Sequence, residues 1–147
     1  HIASVQVDWD VGACAITTRG GVPDLEARTA KRIVTTGCGQ GTVFGSLMDE
    51  VDNIRLGDTR IRQGTLYALL DAMRRHDTIY KSAGSVHGCA LFSGSELLLF
   101  TEDVGRHNAL DAIAGWMWME GLEGDGKILY TTGRLTSEMV IKAAQMG

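Results

Sequence analysis

Residues 96–146, ELLLFTEDVGRHNALDAIAGWMWMEGLEGDGKILYTTGRLTSEMVIKAAQM, decide the fold of this chain. Short apolar runs at Glu96–Thr101 and Lys127–Thr131 are typical of β-strands, and longer segments with helical spacing of apolar residues follow them, at Gly105–Met119 and Thr136–Met146. Strand, helix, strand and helix in this order predict a parallel crossover, which is right-handed in nearly all proteins. The stretch therefore predicts an α/β fold.

Polar side chains follow both predicted strands, in segments 101–108 and 132–138. In open α/β sheets, ligands bind beyond the carboxyl ends of the strands. Both segments contain glycine and arginine, and each leads into a helix start, where free backbone N–H groups favour anions. Two such turns side by side predict a binding site for an anionic ligand.

A β-hairpin is predicted just before this region. Gly94-Ser95 separates the apolar runs Gly88–Ser93 and Glu96–Thr101, and two such residues are a common hairpin loop. A regular register from that loop places His87 opposite Glu102, so a ring nitrogen and a carboxylate are expected to meet there.

The pattern of apolar residues in the rest of the chain predicts three further strands and one clear helix. Ser4–Trp9, Ala13–Thr18 and Arg32–Thr36 are typical of strands, and Thr65–His76 carries the apolar stripe of an amphipathic helix. A broken helix around Phe44–Val51 is a weaker expectation, because the apolar residues there follow no clear helical spacing.

Composition narrows the classes of function. The 147 residues carry a net charge of -4, which argues against broad nucleic-acid binding, and no apolar run approaches the ~20 residues that span a bilayer. Three irregularly spaced cysteines indicate a reducing, cytoplasmic environment rather than a disulfide scaffold. We expect Cys14 and Cys89 to be buried thiols, and no metal site, because His87-Gly88-Cys89 lacks further ligands to complete one.

Cys38 is the strongest single candidate for a catalytic residue. It lies between glycines in Gly37-Cys38-Gly39-Gln40-Gly41, directly after a predicted strand, and glycines leave a loop thiol accessible. The thiolate is the nucleophile, and no Lys or Arg lies within five residues, so distant residues or a bound partner must activate it.

Four stretches together resemble the formate dehydrogenase accessory protein family, FdhD/NarQ. The run Glu102–Asp111, EDVGRHNALD, is the most specific, and the order and spacing of the others fit: Thr36–Gly39, Ser82–Leu91 and Thr132–Val140. The resemblance covers residues from about Arg32 to the end of the chain, and the first strands more loosely.

The resemblance implies a mixed sheet between helices, a three-layer architecture similar to cytidine deaminases without their zinc chemistry. It implies a single domain over residues 1–147, with N-terminal strands in 1–31, a core in 32–147, and further chain at both ends. Family members accept sulfur as a persulfide from a cysteine desulfurase. They pass it to the molybdenum or tungsten bis(molybdopterin guanine dinucleotide) cofactor of formate dehydrogenase, and Cys38 matches the sulfur-carrying cysteine.

The expected activity is therefore that of a sulfurtransferase and cofactor chaperone. Cys38 is the expected nucleophile, and eight residues are expected to line or order the cofactor pocket: His87, Glu102, Asp103, Arg106, His107, Gly133, Arg134 and Ser137. The chain departs from the family at Gly41, where a second cysteine usually stands. One persulfide-bearing thiol still suffices to accept and donate a sulfur.

The sequence is compatible with two other functions. The chain could hold and deliver the guanine dinucleotide cofactor without chemistry, which Gly41 slightly favours, or act as a deaminase-like hydrolase, which would require a metal. Trp116 and Trp118 cannot share one helix face, so one of them is expected to pack against further chain or a partner, and a homodimer would provide such a surface.

Overall fold

The computed structural model describes residues 2–21, 54 and 57–147, and contacts between residues divide the chain into two units, 1–46 and 47–147. The described part of the first unit is an antiparallel hairpin of β1 (Ile2–Asp8) and β2 (Ala13–Thr18). Both N-terminal strands are therefore confirmed. The expectation that Cys14 is buried is wrong, because a two-stranded hairpin has two open faces and this thiol is exposed on it.

The second unit contains a three-stranded sheet with helices. Its elements are α1 (Gln63–Arg75), α2 (Ile79–Ala83), β3 (His87–Ser93), β4 (Glu96–Asp103), α3 (Arg106–Glu120), β5 (Lys127–Thr131) and α4 (Ser137–Gln145). The α/β class and the predicted helices and strands of this region are thereby confirmed. Helix α2 was not expected, because five residues are too short to show a helical period.

The strand order is β4-β3-β5, and all pairings among the described residues are antiparallel, so the expected mixed sheet is not found in this part of the chain. Strands β4 and β5 both run opposite to β3 and hence parallel to each other, with β3 between them. The carboxyl ends of β4 and β5 consequently lie at the same edge of the sheet, as the crossover predicted.

Helices cover both faces of this sheet. On one face, Cys89 and Leu91 of β3 pack with α3 and with Met139 of α4. On the other face, Ala90 and Phe92 pack with Leu69 and Met73 of α1. Alternate residues of β3 thus pack into two cores, which is why residues 88–92 of this central strand are all buried.

Helix α3 has a well-defined end. Gly121 adopts φ 64°, and the Leu122 N–H donates to the Met117 carbonyl at 2.8 Å, the pattern of a glycine-terminated helix. Trp116 packs partly buried against the core, whereas Trp118 is about half exposed, so the two side chains do point to different surroundings.

The register of the β3–β4 hairpin differs from the regular one. Ser93 pairs with Glu96 and Phe92 with Leu97 as expected, but Leu91 pairs with Leu99, so a bulge at Leu98 shifts the rest by one residue. Leu98 and Leu99 both pack against the α3 core, which accounts for the extra residue.

Three predictions, strand Arg32–Thr36, the helix around Phe44–Val51 and the Cys38 loop, lie outside the described residues. Among the residues that are described, no helix is long and apolar enough to cross a membrane.

Candidate functional site

The candidate site lies where β4 and β5 end and α3 and α4 begin. Its residues come from two adjacent turns, 103–108 and 131–138. The structure brings Arg106, His107, Gly133 and Glu138 together there, and it separates other residues that the sequence placed in the same site.

His87 and Glu102 are not opposite each other, so that prediction is wrong. The bulge at Leu98 places His87 opposite Asp103 and Gly88 opposite Glu102. Successive strand residues point to opposite faces, and the Glu102 carboxylate accordingly accepts N–H groups of Ile79 (2.6 Å) and Tyr80 (3.1 Å) at the start of α2. Glu102 therefore stabilises a helix start on the α1 side of the sheet.

Asp103 lies on the α3 side of the sheet. Its Oδ1 accepts the Gly105 N–H at 2.7 Å and the Asn108 side-chain amide at 3.2 Å. These contacts fix the turn between β4 and α3, and the carboxylate faces the positive end of the helix dipole. Asp103 is thus occupied in shaping the turn that presents Arg106 and His107.

Arg106 is the first residue of α3 and is only 8% exposed. Its side chain passes Gly133, because a Cβ at residue 133 would lie 2.9 Å from the Arg106 Cβ and 3.0 Å from its Cδ. Gly133 is therefore needed for close packing between the two turns. Sequence spacing alone marked both residues, but gave no sign that the arginine is buried.

His107 and Glu138 connect the starts of the two helices. Their Nε2 and Oε2 atoms lie 3.1 Å apart, although the ring N–H does not point at the carboxylate well enough for a hydrogen bond. Burial lowers the pKa of His107, and the attraction of Glu138 only partly opposes this. One helical turn further on, Lys142 Nζ lies 2.7 Å from Asp111 Oδ2 and joins the same helices.

Cys89 lies beneath the site and is fully buried, as predicted. Its Sγ lies 3.4 Å from Thr131 Oγ1, and Thr131 Oγ1 also accepts the Gly133 N–H at 3.0 Å. Burial raises the pKa of the Cys89 thiol, and the contact with Thr131 opposes that rise more weakly. Thr131 was not predicted as a site residue. Its position as the last residue of β5, directly before the turn, could have indicated it.

Other predicted residues lie around the rim. Arg134 and Ser137 are exposed. His87, the first residue of β3, is half-buried, and no hydrogen bond joins its ring to Glu102 or Asp103. Thr136, which precedes α4, has a buried hydroxyl without a hydrogen-bond partner and was not in the predicted set. Cys38, the predicted nucleophile, lies outside the described residues, and within the described ones no group of three His, Cys, Asp or Glu could hold a metal ion.

Several known proteins are similar to this chain in sequence. "Sulfur carrier protein FdhD" of Shouchella clausii is 35% identical over 120 residues, 80% of this chain and 45% of the relative. The protein of the same name from Bacillus subtilis is 32% identical over 80% of this chain and 45% of its own length. That from Halalkalibacterium halodurans is 27% identical over 99% of this chain and 55% of its own length.

A similar fold occurs in the crystal structure of a candidate formate dehydrogenase accessory protein from Desulfotalea psychrophila. The TM-score is 0.68 at 24% identity, over 99% of this chain and 52% of that one. The chain thus spans about half the length of the proteins it matches. The model of the FdhD/NarQ family matches residues 1–147, and the chain belongs to that family.

Proposed function

We propose that this chain is part of an FdhD-type sulfur carrier that serves the maturation of formate dehydrogenase. The observation that carries the proposal is the whole-chain match to FdhD/NarQ, whose curated relatives bear the name sulfur carrier protein. Formate dehydrogenase is the proposed client, a cysteine desulfurase the proposed sulfur donor, and the cytoplasm the proposed location. The cytidine deaminase-like architecture likewise belongs to this proposal.

Cys38 is the proposed carrier atom. Its thiolate attacks the outer sulfur of the desulfurase persulfide, a new S–S bond forms on Cys38, and the desulfurase cysteine leaves as a thiolate. The exchange moves one sulfur atom and needs no external oxidant or reductant. Two electrons are required to release that sulfur later as sulfide, and a thiol supplies them by leaving a mixed disulfide on Cys38.

The proposed acceptor is the anionic molybdenum or tungsten bis(molybdopterin guanine dinucleotide) cofactor. The edge of the sheet formed by Arg106, His107, Gly133, Arg134 and Ser137 supports this, because two helix starts and two arginines favour an anion there. His87 and Asp103 border the same edge, whereas the Glu102 carboxylate is already held by the start of α2.

The second candidate is a chaperone that binds and delivers the cofactor without carrying sulfur. Gly41, in place of the usual second loop cysteine, favours it. Cofactor binding and enzyme activation that both survive Cys38→Ala would select this candidate.

The third candidate function is that of a deaminase-like hydrolase, which would require a metal. A zinc assay of the purified protein separates it from the other two candidates.

Intact mass spectrometry tests the carrier role. After incubation of the full-length protein with a desulfurase and cysteine, we expect a gain of one sulfur atom in the wild type. We expect the same gain in Cys14→Ala, which removes an exposed thiol, and no gain in Cys38→Ala. Labelling of Cys38→Ala at wild-type stoichiometry would show that another residue carries the sulfur.

A further inference from the structure

The two turns of the candidate site are fixed in the same way. Asp103, the last residue of β4, accepts the Gly105 N–H at 2.7 Å. Thr131, the last residue of β5, accepts the Gly133 N–H through its hydroxyl at 3.0 Å. In both turns a side chain at the end of a strand holds the peptide two residues further on, which restricts the backbone before the next helix. Thr131 therefore has the same part in the β5–α4 turn as Asp103 has in the β4–α3 turn.

The peptide that Thr131 holds packs directly against the other turn. A Cβ at Gly133 would lie 2.9 Å from the Arg106 Cβ and 3.0 Å from its Cδ. It would also lie 3.4 Å from the Thr131 hydroxyl oxygen. Gly133 is thus enclosed between the residue that begins α3 and the hydroxyl that accepts its N–H, so the Thr131 hydrogen bond helps to set the spacing of the two turns.

Cys89 supports Thr131 from inside the core. The two residues are paired across β3 and β5, and Cys89 Sγ lies 3.4 Å from Thr131 Oγ1. The same sulfur lies 3.9 Å from the Arg106 carbonyl oxygen. Burial raises the pKa of the Cys89 thiol, so it keeps its proton at neutral pH and remains a weak hydrogen-bond donor. One buried thiol therefore contacts both the hydroxyl that holds the β5–α4 turn and the first residue of α3.

A second threonine beside Cys89 has a different task. Thr101 of β4 is the partner of Cys89 on the other side of β3, and its hydroxyl donates to the Ala109 carbonyl at 2.8 Å. That bond joins β4 to helix α3 and not to a turn. Thr101 and Thr131 are both partly buried and each bonds to the backbone, but only Thr131 holds a residue of the candidate site. Thr101 is therefore a matched control for Thr131.

We propose that Thr131 is a positioning residue of the candidate site. Its hydroxyl acts through the Gly133 peptide and fixes the turn that carries Arg134 and leads to Ser137. The contact with Cys89 keeps that hydroxyl in place. This inference rests on the proposed function, in which the guanine dinucleotide cofactor binds at this edge of the sheet.

Calorimetric titration of the full-length protein with guanosine diphosphate, the nucleotide end of the proposed cofactor, tests this role. Thr131→Val keeps the shape of the side chain but removes the acceptor. We expect it to weaken binding about three- to tenfold, the usual contribution of one hydrogen bond. Thr131→Ser restores the acceptor and should recover affinity close to that of the wild type. Thr101→Val removes the matched hydrogen bond and should bind as the wild type does.

Melting temperatures separate positioning from a general loosening of the fold. Thr131→Val and Thr101→Val each lose one hydrogen bond, so we expect similar decreases in melting temperature but a loss of affinity only in Thr131→Val. If Thr131→Val fails to fold, Thr131→Ala, which also lacks the acceptor, replaces it in the titration. Equal losses of affinity at both positions, or wild-type affinity without the Thr131 hydroxyl, would overturn the proposal. Failure of Thr131→Ser to recover affinity, or no saturable binding by the wild type, would also overturn it.

The positioning role and the carrier role fail separately. Binding of guanosine diphosphate that depends on Thr131, together with no sulfur gain at Cys38 in the wild type, would remove the carrier role and leave the positioning role. Sulfur gain at Cys38, together with binding that does not depend on Thr131, would do the reverse.

Discussion

The protonation of His107 depends on the groups that surround it in the site. Burial lowers its pKa from the ordinary 6.5, Glu138 opposes this, Arg106 and Lys142 lower it further, and Asp111 raises it. Although His107 and Glu138 lie within ion-pair distance, burial outweighs their attraction. The imidazole therefore serves at neutral pH as an uncharged group between two helix starts.

This shift predicts how stability depends on pH. The native pKa of His107 lies below the unfolded value, so below about pH 6.5 the unfolded chain binds more protons and the free energy of unfolding falls. Above that pH the His107 contribution is constant. Urea unfolding of wild type and His107→Gln between pH 5 and pH 8 measures it, and parallel profiles would contradict the prediction.

At the scale of elements, the β3–β4 hairpin shows what sequence can predict and what it cannot. Both strands and their loop were evident from apolar runs around Gly94-Ser95. The bulge was not, because Leu97, Leu98 and Leu99 are alike in the sequence, although Leu97 packs on the α1 side and the other two on the α3 side. One extra residue then changed the partner of His87.

The site followed the same pattern. Glycine, arginine and polar residues after β4 and β5 correctly indicated that two helix starts meet at one edge of the sheet. The burial of Arg106 could not be predicted from the sequence. Its side chain packs against Gly133, which is 27 residues away in a different turn. The opposite directions of Glu102 and Asp103 follow from strand alternation, but only once the end of β4 is known.

Replacement of glycine by alanine is expected to change stability in opposite directions at two positions, one in α3 and one in β3. Gly115 is exposed in α3 with nothing within 4 Å of a new Cβ, so Gly115→Ala should stabilise the protein by about 0.5–1 kcal/mol. At Gly88 in β3 a Cβ would lie 2.9 Å from the Phe100 ring, so Gly88→Ala should destabilise by about 1–3 kcal/mol. Urea unfolding measures both, and equal effects would contradict the packing described for β3.

At the scale of the whole molecule, the three cysteines occupy different environments. Cys14 is exposed on the β1–β2 hairpin, and Cys89 is buried under α3 and α4. A sulfur carrier must expose its thiol to two protein partners in turn, so the fold excludes Cys89 from that role in the native state. The proposed carrier is therefore Cys38, by its glycine-rich loop and its match to the family cysteine.

The burial of Cys89 also makes it a reporter of core opening. In a variant with Cys14→Ser and Cys38→Ser, Cys89 is the only thiol, and alkylation requires separation of α3 and α4 from the sheet. We expect native-state labelling to be about 10³-fold slower than in denaturant, or slower still, because small domains open that rarely. The reverse variant, which keeps only Cys14, should label at nearly the same rate in both conditions. Fast native labelling of Cys89 would show that the three-layer core opens easily, and its thiol would then again become a candidate carrier.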